Sequence, residues 1–328
     1  MSAPGMNAIV ELDGVTKDFR AKDGKMLRAV DGVSLVVKRG ETLGIVGESG
    51  SGKSTLGRLI LGLHEPTSGT VRFEGQDLSS VSAGSLRQLR QHMQPIFQDP
   101  YASLDPRFTV GDSIAEPLVI HRIGSRASRR NKVAELLDIV GLEPDAAGRY
   151  PHEFSGGQRQ RIGIARAIAL EPKLIVADEP VSALDVSIQS QILNLLIELK
   201  ARLKLSYVFI SHDLAVVEHI SDRVAVMYLG RVVETAETAA LYRRAAHPYT
   251  EALISAIPQP NVEGRRERII LAGDAPNPEE PPPGCPFHPR CSKAFERCPR
   301  EVPATIEIGT PGSPHGVNCL LYGPSSSR

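Results

Sequence analysis

The segment Gly47-Glu48-Ser49-Gly50-Ser51-Gly52-Lys53-Ser54 limits what this chain can fold into more than any other. It fits the pattern G-x-x-x-x-G-K-[ST] and lies between the largely apolar run Thr42-Leu43-Gly44-Ile45-Val46 and a helical run from Thr55 to Leu63. Strand, glycine-rich turn and helix in that order gather backbone N–H groups and a helix N-terminus around one point, an arrangement suited to phosphate. In such a loop Lys53 reaches the β- and γ-phosphates of a nucleotide, Ser54 ligates Mg2+, and Gly47 to Gly52 with Thr55 complete the cradle.

The flanking pattern agrees with that reading. From Ala8 to about Ala256, short apolar or β-branched runs alternate with longer helical ones, which predicts an α/β unit around a mostly parallel sheet. Ala8–Leu12, Thr42–Val46, Leu174–Ala177 and Tyr207–Ile210 read as strands, the last three covered on both faces. Ile188, Ile192, Leu195, Leu196 and Leu199 recur at helical spacing, and no strand is evident from about 110 to 170, where 132–140 and 158–170 read as helices. The expectation is residues 8–256 as one α/β unit with a helical insert.

Beyond residue 257 the character changes, since 14 of the 25 prolines fall in the last 72 residues. All four cysteines, Cys285, Cys291, Cys298 and Cys319, also lie there. Proline at that density opposes helices and interior strands. Residues 257–328 are therefore expected to form a small Pro/Cys-rich extension, with 325–328 frayed. In a reducing compartment clustered cysteines read first as a metal site. The Cys-x5-Cys-x6-Cys-x20-Cys spacing lacks the close pairs of structural zinc sites, and Cys285 and Cys298 precede prolines, which favours a 4Fe-4S cluster over zinc. Four free thiols are the third reading, and His288 and His315 are substitute ligands.

Lys plus Arg and Asp plus Glu both number 38, so no global positive field draws the chain to nucleic acid. Residues 1–12 lack a basic-then-apolar leader, and no apolar run approaches the roughly 20 residues of a membrane span. A soluble, unexported chain is expected. Arg126, Arg129, Arg130 and Lys132 read as a solvated helix face.

A second set of residues bears on chemistry. Asp178 and Glu179 end the buried run 174–177, where ligands gather in open α/β sheets. Asp178 is placed to hold Mg2+ and Glu179 to polarise an attacking water. Phe154-Ser155-Gly156-Gly157-Gln158 opens a helical run and offers a second anion-binding helix N-terminus.

Taken together these segments resemble the ATPases of the ABC transporters, with Phe154 where the signature often has Leu. That resemblance implies a head-to-tail dimer in which Ser155, Gly156, Gly157 and Gln158 close over ATP held by the partner. It further implies that Gln98 senses Mg2+ and the γ-phosphate, that Asp185 lies in the D-loop, and that His212 contacts the γ-phosphate. Phe19 resembles the aromatic that stacks on adenine, although packing within its strand is the competing reading.

The segments 42–58 and 96–107, with His247–Leu253 and Gly284–Cys291, look like the dipeptide and oligopeptide importer ATPases, and more like the second of their two paired ATPases. Partners implied are a second homologous ABC ATPase, two transmembrane permease subunits and, indirectly, an extracytoplasmic solute-binding protein. The place implied is the cytoplasmic face of the membrane. Nickel and glutathione systems, and ABC ATPases outside transport, are the alternatives.

Overall fold

The computed structural model describes residues 7–20, 24–99, 103–257, 268–274, 276–310 and 312–323. The tail expected to fray, 325–328, lies outside them. The described chain begins with strands β1 (Ala8–Arg20), β2 (Met26–Lys38) and β3 (Thr42–Val46), then helix α1 (Lys53–Ile60), strands β4 (Ser68–Phe73) and β5 (Gln76–Asp77), helix α2 (Ala83–Leu89) and strand β6 (Met93–Ile96). Three helices follow, α3 (Val110–Ile120), α4 (Arg126–Ile139) and α5 (Gly156–Ile168), so the expected helical insert forms with no strand among its described residues. Next come β7 (Leu174–Asp178), α6 (Val186–Leu203), β8 (Ser206–Ser211), α7 (Leu214–Ile220), β9 (Arg223–Tyr228), β10 (Arg231–Glu237), α8 (Thr238–Arg243) and α9 (Pro248–Ser255). The extension contributes β11 (Ile306–Glu307) and β12 (His315–Val317).

Two sheets form. One is antiparallel, in the order β2-β1-β4-β5; the other runs β11-β12-β10-β9-β3-β8-β7-β6, with β9, β3, β8, β7 and β6 parallel. Side chains of successive strand residues point to opposite faces, so the apolar central strands feed two cores. Leu43, Ile45, Val176, Val208 and Ile210 meet α1 and the antiparallel sheet. Ile175, Ala177, Tyr207 and Phe209 meet the helices of the other face. The predicted stripe on α6 is present, with Ile192, Leu195, Leu196 and Leu199 buried. In the parallel sheet all carboxyl ends point one way, which brings the segments after β3, β6, β7 and β8 to a common edge.

The extension does not stand apart. β12 pairs with β10 through Glu234↔Val317, Thr235↔Gly316 and Ala236↔His315, so the main sheet continues into the proline-rich region. Glu234, fully buried, accepts from His315 Nε2 at 2.7 Å and from the backbone N–H of His247 at 2.9 Å. Phe287 is buried against Tyr228 and Tyr249, with ring centroids 5.2 and 5.4 Å away. Among the described residues no helix is long and apolar enough to cross a membrane.

Candidate functional site

The loop after β3 owes its shape to two glycines. Gly47 has φ +153°, and a Cβ there would stand 2.2 Å from the Met227 carbonyl oxygen; Gly52, with φ +97°, would place one 2.2 Å from that of Ala29. Any side chain at either position would push the loop off the strands beneath it. Lys53 opens α1 and folds back into the loop, donating to the Gly47 and Glu48 carbonyls at 2.8 Å each. Burial lowers its pKa, opposed by the carboxylates of Glu179, Asp178 and Glu48. The ammonium thus occupies carbonyls that it can exchange for a polyphosphate.

Beside it, the Ser54 hydroxyl donates to Asp178 Oδ1 at 2.9 Å. Burial raises the Asp178 pKa. A hydroxyl and a carboxylate short of compensating charge suit a hard divalent cation such as Mg2+, and Gln98 lines the same cavity as Ser54.

Glu179 follows β7 in the left-handed region, with φ 47°. Its carboxylate accepts from Gln98 Nε2 at 2.9 Å and lies 3.1 Å from His212 Nδ1. Three residues far apart in sequence are joined because β6, β7 and β8 end side by side. Residues 49–55, Gln98, Glu179 and His212 line one cavity of about 630 Å³, a volume that accommodates a nucleotide. Leu27, Arg28, Ala29, Leu229, Gly230 and Pro278 complete its wall, and the sequence reading named none of these six.

Other expected residues lie elsewhere. Phe19 does not line this cavity; its ring meets His64 edge-on at 5.4 Å, with Lys17 Nζ 5.2 Å above it. Ser155 caps α5, accepting from the Gln158 N–H at 3.3 Å while Gln158 Oε1 accepts from the Ser155 N–H at 3.0 Å. Gly157 lets α5 approach α6, since a Cβ there would stand 2.4 Å from Ile188 Cγ2. The departure at Phe154 is accommodated: the ring is buried and carries the Arg149 guanidinium 4.4 Å from its centroid. Asp185 caps α6, accepting from the Ile188 N–H at 3.0 Å. The signature and D-loop residues thus shape helix ends and leave the cavity of their own chain alone. In the expected basic face, Lys132 pairs with Glu135 and Glu171, and Arg129 donates to the Ile123 carbonyl.

The four cysteines are free, with Cys285, Cys298 and Cys319 buried. Burial raises the pKa of Cys285 and Cys291 and pushes Cys319 up to about 11, where the other three thiols add to the rise. Among the described residues no group of three or more His, Cys, Asp or Glu side chains is placed to hold a metal ion, so the arrangement of the four thiols gives no support to the zinc or cluster site expected there.

This region also reaches the nucleotide loop. Arg290, next to Cys291, donates to Glu48 Oε2 at 2.8 Å and Oε1 at 3.1 Å.

Comparison with known proteins matches this architecture. Residues 30–182 fit the family model described as ABC transporter, and residues 233–298 fit that described as oligopeptide/dipeptide transporter, C-terminal region. The chain is 52% identical over 331 residues to the oligopeptide transport ATP-binding protein AppF of Bacillus subtilis, covering 98% of this chain and 100% of AppF. It is 53% identical over 300 residues to a putative peptide import ATP-binding protein of Brucella ovis, covering 92% of this chain and 94% of that one. Among solved structures it resembles the dimeric, ADP- and Pi-bound ATP-binding cassette MJ0796, with TM-score 0.64 and 32% identity over 70% of this chain and 98% of that one. With the phosphate loop, the carboxylates at the end of β7 and both sequence regions in place, the chain belongs to the ATP-binding proteins of the ABC transporter family.

Proposed function

We propose that this chain binds and hydrolyses ATP to energise the import of di- and oligopeptides, as one of two ABC ATPases beneath a pair of transmembrane permease subunits. The observation that carries the reading is the convergence of Gln98 and His212 on the Glu179 carboxylate at the mouth of the cavity formed by the phosphate loop. In this reading Lys53 and the loop N–H groups hold the phosphates. Ser54, Asp178 and Gln98 would hold Mg2+, which would supply charge neutralisation to the phosphates. Glu179 takes the proton of the attacking water, and His212 and Gln98 fix the orientation of that carboxylate.

Coupling to membrane partners is supported by Gln98, which lines the nucleotide cavity and also a second one of about 500 Å³ bordered by the exposed Phe97. A peripheral place at the cytoplasmic membrane face follows from those partners. Peptide as the cargo rests on the names of the relatives and on the C-terminal region. The head-to-tail dimer is supported by the dimeric MJ0796 cassette and by signature residues that leave their own cavity unserved. We assign residues 8–256 to the ATPase unit and 257–328 to the peptide-transporter-type extension.

Deleting this chain from its native cell is expected to abolish uptake of labelled tri- and tetrapeptides, with return on supplying the intact chain. Unchanged peptide uptake with loss of nickel or glutathione uptake would reassign the cargo. Unchanged uptake of all three would favour an ABC ATPase outside transport.

The finer cofactor reading, a 4Fe-4S cluster on Cys285, Cys291, Cys298 and Cys319, has one support: the four thiols act on one another electrostatically. Anaerobic purification followed by assay of iron, acid-labile sulfide and zinc decides it. Iron and sulfide together are expected; zinc alone, or no metal with four reactive thiols, rejects the cluster.

A further inference from the structure

Glu48 places a carboxylate in a loop built to receive a polyphosphate, and like charges at that range repel. Every polar group of the residue is engaged. Its N–H donates to the Tyr249 hydroxyl at 2.9 Å. Its carbonyl accepts from Lys53 Nζ at 2.8 Å and from the Ser51 N–H at 3.2 Å. The carboxylate takes both terminal nitrogens of Arg290, a guanidinium with side-chain exposure of 9%. That guanidinium also lies over the Tyr228 ring, 6.0 Å from its centroid, and is fixed from below by Phe287 packing on Tyr228 and Tyr249.

Neither the loop motif nor the expected ATPase chemistry uses this clamp. The loop motif asks nothing of the second residue, and Arg290 stands 242 positions away in the extension. A two-pronged guanidinium on a carboxylate fixes orientation as well as charge. The first turn of the loop is therefore set from outside the cassette.

We propose that Arg290 is a positioning residue for the phosphate loop: by holding and neutralising Glu48 it keeps the loop open to phosphate, and makes nucleotide affinity depend on the folded extension. The inference rests on the ATP-site reading above and deepens it. Without Arg290, the Glu48 side chain is released to swing toward the cavity, bringing negative charge to the phosphate site and freeing the turn that Tyr249 and Lys53 hold.

The test uses the full purified chain with Mg2+ and two probes, ATP and inorganic tripolyphosphate, which shares the phosphates and lacks the nucleoside. R290Q is expected to weaken both by about tenfold, the scale of one lost charge-assisted pair. E48Q in the R290Q background recovers most of that loss, because the repelling carboxylate is gone. A purely structural role for Arg290 gives no recovery. Parental affinity in R290Q overturns the inference, as does a loss confined to ATP with tripolyphosphate unaffected, or a double variant as weak as R290Q. If R290Q loses cooperative melting, R290K carries the test: it keeps the charge without the fork, and about a threefold loss is expected from the weaker geometry; parental affinity there overturns the inference. A parental chain that binds neither probe defeats the ATP-site reading instead.

Discussion

Glu179→Gln is expected to abolish ATP turnover, with a loss on the order of 10²–10⁴-fold, the range for removing a positioned general base. ATP binding should stay close to the parental value. The phosphates fall to Lys53 and the loop, whose polar contacts do not include Glu179. Glutamine preserves the shape that Gln98 and His212 hold and removes only the group that can accept a proton from water. It also removes one negative charge from the mouth of the cavity. Bound ATP should therefore persist, and the closed dimer should accumulate. Steady-state hydrolysis, equilibrium binding and size-exclusion chromatography with ATP check the three parts. Near-normal hydrolysis would remove Glu179 from the reaction.

Glu179 was legible from its place after the buried run 174–177, whereas Gln98 and His212 entered through the family resemblance; the topology of the sheet is what explains why the three meet. Gln98, Glu179 and His212 each follow a strand of one parallel sheet, and the carboxyl ends of such strands share an edge whatever the loop lengths between them. The phosphate loop was legible for a local reason, since Gly47 and Gly52 occupy positions where a side chain has no space.

The placement of Phe19 was not legible from local pattern. The apolar run of the first strand ends at Leu12, and β1 continues through Phe19 to Arg20. Its register against β2 shifts between Leu12 and Val15, between Val15 and Lys17, and again between Lys17 and Asp18. Each irregularity resets which face the next side chain takes, so counting by twos cannot place Phe19. Its ring lies on His64, and the wall that completes the nucleotide cavity comes from residues 27–29, 229–230 and Pro278.

The extension was opaque for a related reason. β11 and β12 span two and three residues, too short for alternation to carry a signal. The proline count marks a change of composition near residue 257 but carries no information on what the extension packs against. Pairing of β12 on β10, burial of Phe287 and the Arg290–Glu48 contact depend on partners more than 35 residues away, and no local pattern announces them.

The arrangement of Lys53 and Ser155 leads to the second large effect. Lys53 lines the cavity, while Ser155 sits at the end of α5 with its hydroxyl turned on its own helix. One chain therefore presents a phosphate cradle and, away from it, a second helix N-terminus, and a head-to-tail pair would join the two across the interface. Loss of Lys53 removes the main phosphate cation of one site, and loss of the signature serine removes a donor from the site opposite. Removing one such donor costs about 10²–10³-fold in sites that stabilise developing negative charge. Combine this chain carrying Lys53→Ala with a partner ATPase whose signature serine is replaced, and both lesions fall in one composite site. The other site stays whole, so ATP hydrolysis should continue at the rate of a single site. Put both lesions in one chain, with the partner intact, and each composite site carries one; hydrolysis should then collapse. Equal rates in the two assemblies would show that Ser155 does not act across the pair, and would leave its capping of α5 as its whole role.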